Sequence, residues 1–381
     1  MHILFITNKY PTMGGVEVVT TQLANKFIED GNEVTIASFI RENADLGLSS
    51  QCRLLEMNHP IHSKANIQNL HNYILKNRVD FIINQWIVPF KHTYTWSQAV
   101  KGTNCKVISC HHNQPNTNSL IQGIKMKIEV GKWWLKPLLW VVEEVSRQSL
   151  KYGFKKSDKF VVLSPSFIPV AKKFMRVSKE EKFLALGNPV TIKTPQTLVS
   201  FSQKKKNIIC VGRIMYNQKR TFRVVDIWKK IESKYPDWNL VFVGDGPDKI
   251  DLEKRIAEAK LKNVQITGFT NPIPYYKEAS ILILTSEYEG FGLVIIEGMS
   301  YGVVPVVYGS YEAVFDIIEN GKTGFITSTP FQADQMVARI EELINDEKKL
   351  SDFSYNVQEK ARNFHLNQII KKWYNLFDSL K

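Results

Sequence analysis

Four charged side chains in the C-terminal half have the types and spacing that a phosphate-and-sugar site requires. Arg213 and Lys219 lie in Gly212-Arg213-Ile214-Met215-Tyr216-Asn217-Gln218-Lys219-Arg220, which continues an apolar strand pattern starting at Asn207. In open α/β sheets ligands bind beyond the carboxyl ends of the strands. There, arginine can grip a diphosphate through two parallel bonds, while lysine adds a point charge. A solvated basic turn is the plainer reading of this loop. Glu289 and Glu297 lie in Ser286-Glu287-Tyr288-Glu289-Gly290-Phe291-Gly292-Leu293-Val294-Ile295-Ile296-Glu297, after a strand pattern ending at Thr285. Eight steps along a helix make a little over two turns, which would set Glu297 on the face leading back toward Glu289. A carboxylate in so apolar a helix needs hydroxyl or cationic partners. A ribose diol would supply them, and the N–H groups near Gly292–Leu293 would face a phosphate. Two surface glutamates are the alternative, and Glu287 reads as one.

The first half holds weaker candidates. Asn8 to Glu17 joins a strand to a helix through Gly14-Gly15, where a backbone can approach a ligand at a helix N-terminus. It is neither G-x-G-x-x-G nor a P-loop, so neither NAD nor direct ATP binding follows, and a ligand-free turn fits equally. Cys105 and Cys110 beside His111 and His112 lack the spacing of the common zinc modules; they read as a buried strand end, and no metal is expected. Gly123 to Lys159 carries nine basic and four acidic residues around Trp133, Trp134 and Trp140. Val130, Trp133, Trp134, Leu138, Val141 and Val145 fall near helical spacing, with Pro137 expected to kink or end a helix. Tryptophan flanked by Lys132 and Lys136 suits a segment lying at headgroup depth on an anionic membrane; core tryptophans with solvated lysines are the other reading.

These residues need elements to hold them. The chain has 381 residues, 44% hydrophobic and 23% charged, enough for two domains with their own cores. Short apolar runs alternate with amphipathic stretches, the pattern of βαβ units. Strands are expected at His2–Ile6, Glu33–Phe39, Val79–Asn84, Lys106–Cys110 and Lys159–Leu163. Six more follow at Asn207–Gly212, Asn239–Gly244, Val264–Gly268, Ser280–Thr285, Val303–Tyr308 and Gly324–Ile326. The join falls near Gly187–Val190, and Ser354–Lys381 reads as a helix with an apolar face of Phe364, Ile369, Ile370, Trp373 and Phe377. Residues 1–190 hold 24 basic against 14 acidic residues, the remainder 26 against 23, so the first half points to an anionic partner. A nucleic-acid partner is not expected, because no basic stripe interleaved with stacking aromatics occurs outside 123–159. No apolar run approaches the roughly 20 residues of a membrane span. The first ten residues read as a strand rather than a signal peptide, and four cysteines without a C-x-x-C pair suit a reducing compartment, so a cytoplasmic location is expected.

Taken in order, the motifs resemble those of family 4 retaining glycosyltransferases. The Glu289/Glu297 and Arg213/Lys219 pairs are joined by Gly244-Asp245-Gly246-Pro247 and Gly268-Phe269. Gly309-Ser310-Tyr311-Glu312 and Asn320-Gly321-Lys322-Thr323-Gly324-Phe325 complete the set. The resemblance covers nearly the whole chain and is densest over 207–327. It implies an α/β, GT-B fold: two Rossmann-like, doubly wound domains facing a central cleft. Residues 1–190 would bind the acceptor, 191–364 would bind the nucleotide-sugar donor, and a helix over 365–381 would pack back on the first domain.

The resemblance also implies roles. Arg213 and Lys219 would hold the donor diphosphate, Glu297 would accept from the ribose hydroxyls, and Glu289 would contact the donor sugar. Gly268, Phe269, Gly290, Phe291, Gly292 and Leu293 would complete the donor site, with Gly14 and Gly15 closing over the phosphates. His111, or its neighbour His112, matches the place of a sugar-contacting histidine. The implied reaction moves a sugar from a nucleotide, most commonly UDP in this family, to a hydroxyl with retained anomeric configuration. No metal or other cofactor is implied, and no D-x-D triplet is present. The expected acceptor is a lipid-linked saccharide of bacterial capsule, O-antigen or exopolysaccharide assembly, on the inner face of the cell membrane. The alternatives are a GT-B sugar-nucleotide epimerase or hydrolase that needs no acceptor, and a non-catalytic nucleotide-binding partner subunit.

Overall fold

A computed structural model describes residues 1–381 and divides into two compact units: Met1–Thr191 with Leu366–Lys381, and Ile192–His365. The first unit runs β1 (His2–Lys9), α1 (Gly15–Glu29), β2 (Glu33–Ile40), β3 (Arg53–Glu56), α2 (Lys64–Lys76), β4 (Phe81–Asn84), α3 (Phe90–Ala99) and β5 (Lys106–His111). It continues with α4 (Ser119–Glu129), α5 (Lys136–Lys156), β6 (Lys159–Val162), α6 (Phe167–Met175) and β7 (Phe183–Ala185). Seven parallel strands pair in the order β3-β2-β1-β4-β5-β6-β7. Ile3, Leu4, Phe5 and Ile6 are all buried, as a strand covered on both faces requires. On one face Leu4, Ile6, Ile82 and Val107 join Trp96 and Ile74 in a core.

The second unit runs β8 (Asn207–Val211), α7 (Thr221–Ile231), β9 (Asn239–Val243), α8 (Lys249–Glu258), β10 (Val264–Ile266), α9 (Ile273–Glu278) and β11 (Ile281–Leu284). It continues with α10 (Leu293–Ser300), β12 (Val304–Tyr308), α11 (Val314–Ile317), β13 (Phe325–Thr327), α12 (Ala333–Asn345) and α13 (Glu347–Ala361). Six parallel strands pair as β10-β9-β8-β11-β12-β13, over a core that includes Trp228, Phe242, Met336 and Leu343. Each sheet reverses its strand order once, at β1/β4 and at β8/β11. In doubly wound sheets such a switch point leaves a crevice at the carboxyl ends where a ligand fits.

The chain returns to the first unit through α14 (Leu366–Asp378). Phe377 stacks on Phe81 at 4.5 Å and meets Phe27 at 5.6 Å, while Asn32 and Tyr374 share a hydrogen bond of 2.9 Å. Burying Trp373 and Phe377 stabilises this docking by roughly 1.5–3 kcal/mol per side chain.

Four expectations need correction. Ser354–Lys381 is not one helix: a 3₁₀ turn at Arg362–Phe364 separates α13 from α14, and Phe364 packs edge-on against Phe291 in the second unit, 5.7 Å between centroids. Pro137 neither kinks nor ends a helix. It sits in the first turn of α5, where a missing N–H costs nothing. The apolar series 130–145 is not one helical stripe, because the chain reverses at Gly131 (φ +94°) between α4 and a 3₁₀ turn at Trp133–Leu135. The strands β3 and β7 were absent from the sequence pattern. They are the two edges of the first sheet, and a short edge strand needs little apolar alternation.

Candidate active site

Residues 212–220 and 286–292 are far apart in sequence, yet they leave adjacent strands. Ile208 and Ile209 of β8 pair with Ile281 and Leu282 of β11. Beyond the strand ends the loops are laced together: the Glu287 N–H donates to the Gln218 carbonyl at 2.8 Å, and the Thr285 hydroxyl lies 3.2 Å from the Lys219 carbonyl. This brings Lys219 Nζ to 2.5 Å from Glu289 Oε1, and the Ser286 hydroxyl donates to the same oxygen at 2.7 Å. Glu289 is 7% exposed, so its charge needs both partners. Arg213 differs, being exposed at the end of β8 with no ion pair. The switch point therefore offers one free guanidinium and one lysine held by a carboxylate.

Glycine fixes the approach of the next loop. A Cβ on Gly244 would collide with the Gly212 carbonyl, so only glycine lets the turn after β9 lie on the backbone that presents Arg213. The Ile214 N–H donates to the Asp245 carbonyl at 2.9 Å, and Asp248 accepts from the Tyr216 N–H at 2.6 Å. Gly268 bridges Gly244, and the Phe269 ring beside it is 75% exposed.

Helix α10 begins at Leu293, so Glu289 stands in the turn before it and the two-turn helical relation to Glu297 does not apply. Glu297 is buried within α10 and accepts from the Tyr276 hydroxyl at 3.0 Å. Burial and the adjacent Glu297 carboxylate push the Tyr276 phenol well above its ordinary range. Gly292 caps α10 at φ +85°, where a Cβ would lie 2.6 Å from the Tyr311 hydroxyl. Gly290 stands in the turn after Glu289, Phe291 packs inward, and the N–H groups at Leu293 open the helix. Glu287 is not a free surface group; Arg223 pairs with it at 2.9 Å and Arg220 at 3.2 Å. Sequence reasoning missed Tyr276, which carries no spacing signal and meets Glu297 only through the fold, and gave no role to Ser286 or Tyr311 within the motifs that hold them.

In the first unit, Gly14 and Gly15 open α1 at the β1/β4 switch, and a Cβ on Gly14 would strike the Glu17 carboxylate. Burial raises the Glu17 carboxyl above its ordinary value. His111 ends β5 with Nε2 buried and unpartnered, while His112 bonds Gln85 from the neighbouring strand end. Desolvation holds His111 down to about 4 and, with the adjacent His111, His112 down to about 3, so both rings are neutral at pH 7. Trp133 and Trp134 stand 68% and 59% exposed in the turn before α5, with Lys132 and Lys136 exposed beside them.

A cavity of about 370 Å³ opens at the opposite, amino edge of the second sheet, lined by Lys204, Lys205, Lys206, Asp237 and Trp238. Its cations are committed: Lys205 pairs with Glu278 at 2.8 Å, Lys206 pairs with Asp237, and Lys204 donates to the carbonyls of Tyr276 and Tyr301.

The family model described as glycosyl transferases group 1 matches residues 198–360. The match spans most of the second unit. An uncharacterized glycosyltransferase of Haemophilus influenzae is 29% identical over 205 residues, 51% of this chain and 56% of that protein. The amylovoran biosynthesis glycosyltransferase AmsD of Erwinia amylovora is 27% identical over 181 residues, 47% and 50% of the two chains. These alignments span about half the length of those relatives. A Campylobacter jejuni N-acetylgalactosaminyltransferase acting on an undecaprenol-diphosphate-linked saccharide is 20% identical over 374 residues, 97% and 96% of the two chains. Among solved structures, Anabaena Alr3699/HepE in complex with UDP and glucose superposes with a TM-score of 0.73 at 17% identity, covering all of both chains. The lipopolysaccharide outer core galactosyltransferase WaaB gives 0.73 at 18%, covering 100% and 99%. These likenesses identify the fold as GT-B, with the group 1 match in its second unit.

Proposed function

We propose that this protein is a retaining glycosyltransferase of family 4 that moves a sugar from UDP to a hydroxyl of a lipid-linked saccharide. The observation that carries the proposal is the convergence of Arg213, Lys219, Glu289 and the α10 N-terminus at the β8/β11 switch. In the transfer, the bond from the anomeric carbon to the diphosphate oxygen breaks and one to the acceptor oxygen forms. The acceptor proton leaves on the departing phosphate. Arg213, Lys219 and the N–H groups at Leu293 would stabilise the growing diphosphate charge, which is why no metal is invoked. Glu289 would orient the sugar, Glu297 the ribose, and His111 a sugar hydroxyl. Gly14, Gly15, Gly268 and Phe269 would complete the donor contacts.

The Campylobacter relative, aligned end to end, supports a lipid-diphosphate-linked acceptor; the amylovoran relative supports assembly of a surface polysaccharide such as a capsule, O-antigen or exopolysaccharide. No helix is long and apolar enough to cross a membrane, and we assign the enzyme to the cytoplasm and the inner membrane face. A thermal shift with UDP, GDP and ADP tests the donor site. Ligand at ~100 Kd should stabilise the native state by ~2.7 kcal/mol, and Glu297→Ala should abolish the shift. No shift with any nucleotide refutes the donor site. Sugar release independent of any acceptor would replace transfer by hydrolysis or epimerisation.

A further inference from the structure

The longest stretch of the first unit without a buried residue is 125–145. The two helices that frame it are anchored only at their far ends. Ile121 and Ile124 are buried at the start of α4, and Ser146, Ser149, Leu150 and Phe154 are buried late in α5. Between these anchors the chain turns back on itself through Gly131 and the 3₁₀ turn, tied across by a Lys125–Glu143 ion pair of 3.2 Å. Its apex is apolar and uncovered: Val130 is 77% exposed and Trp140 65%, beside Trp133 and Trp134. A soluble surface scatters such side chains singly; a contiguous group marks a surface with a partner.

We infer that this hairpin apex is a docking surface for an anionic lipid bilayer. Tryptophan suits the headgroup boundary, where an apolar ring and an N–H are both satisfied. Lys127, Lys132 and Lys136 are exposed around the tryptophans, and no ion pair involves any of the three. They complement lipid phosphate and would repel one another across a twofold contact between two copies of the chain. The 3₁₀ turn sets Trp133 and Trp134 at 76° to each other, so the apex presents rings in two directions. The assignment deepens the membrane-face reading above and rests on this surface, not on the donor site.

Flotation of the full chain with vesicles of phosphatidylglycerol and phosphatidylcholine tests it. Binding is expected to anionic but not to pure phosphatidylcholine vesicles, weakening by about five-fold per lysine removed and with rising salt. Trp133→Ser with Trp134→Ser should lower vesicle binding at least about ten-fold while keeping the wild-type melting temperature and nucleotide shift, since both rings are exposed in the folded chain. Lys127→Glu with Lys132→Glu and Lys136→Glu should lower it too. Folded protein that ignores anionic vesicles, or a double serine variant that binds like wild type, overturns the inference. So does a concentration-dependent dimer that the serine variant abolishes. Lost vesicle binding with an intact nucleotide shift removes the docking surface alone, whereas a lost shift with intact binding removes the donor site alone.

Discussion

The carboxyl edges of the two sheets share one topology and differ in chemistry. At the β8/β11 switch the edge is charged: Lys219 is held by Glu289, Glu287 by two arginines, and Arg213 stands free. At the β1/β4 switch and the neighbouring end of β5 the buried groups are mostly neutral: Thr7, Gln85, His111 and His112, with burial suppressing the imidazolium forms, beside a Glu17 carboxyl that burial raises above its ordinary value. A charged edge suits a diphosphate, while a neutral polar one suits hydroxyls. On the function proposed above, the same wound sheet would acquire two binding chemistries through a few loop residues, because the sheet supplies position and the loops supply chemistry.

The largest effect is expected at Arg213. Replacing it with alanine should cut the transfer rate about 10²–10³-fold, the usual loss for one group aimed at developing charge. The melting temperature should stay put, because the side chain is exposed and unpaired. An unchanged rate would mean that the charged edge is not the donor half. Lys219→Met should act on stability as well, costing about 3 kcal/mol by stranding the Glu289 carboxylate. Adding Glu289→Gln should restore most of that loss in denaturant melts, and failure to do so would show that the ion pair is not what holds the loop.

The neutral edge makes a pH prediction. Folding lowers the affinity of His111 and His112 for protons, so the unfolded chain binds more protons between pH 6.5 and about 4. Stability contributed by these neutral rings is present above pH 6.5 and falls as pH drops through that window, by on the order of 1–2 kcal/mol per ring at pH 5. Denaturant midpoints at pH 7 and pH 5 should converge in His112→Gln relative to wild type; parallel losses would contradict the assignment. The smallest effect is expected at Gly292→Ala. The left-handed backbone and the Tyr311 hydroxyl make a Cβ unwelcome, at about 1–2 kcal/mol, readable as a lower melting temperature.

Much of the fold was legible because buried parallel strands are apolar on both faces. The run Ile3 to Ile6 and the run Ile281 to Leu284 stand out from their surroundings without any partner being known. The edges β3 and β7 were not legible, since a strand paired on one side needs no such run. At the site, glutamates, arginine and glycines announced themselves by spacing. Tyr276 and Ser286 did not, because a hydroxyl becomes a carboxylate partner only by proximity.

The tryptophans show the limit most plainly. Their composition is compatible with either a core or a lipid surface, since burial depends on whether another element covers the segment, and nothing within 123–159 encodes that. The fold leaves 125–145 uncovered, which only tertiary structure could decide. By itself the sequence determined the two wound α/β sheets and the kinship with glycosyltransferases, through hydrophobic period and the order of motifs, both local properties of the chain. The Lys219–Glu289 pair, the Tyr276–Glu297 bond and the break before α14 were decided by strand order and packing, which bring together residues that no local pattern connects.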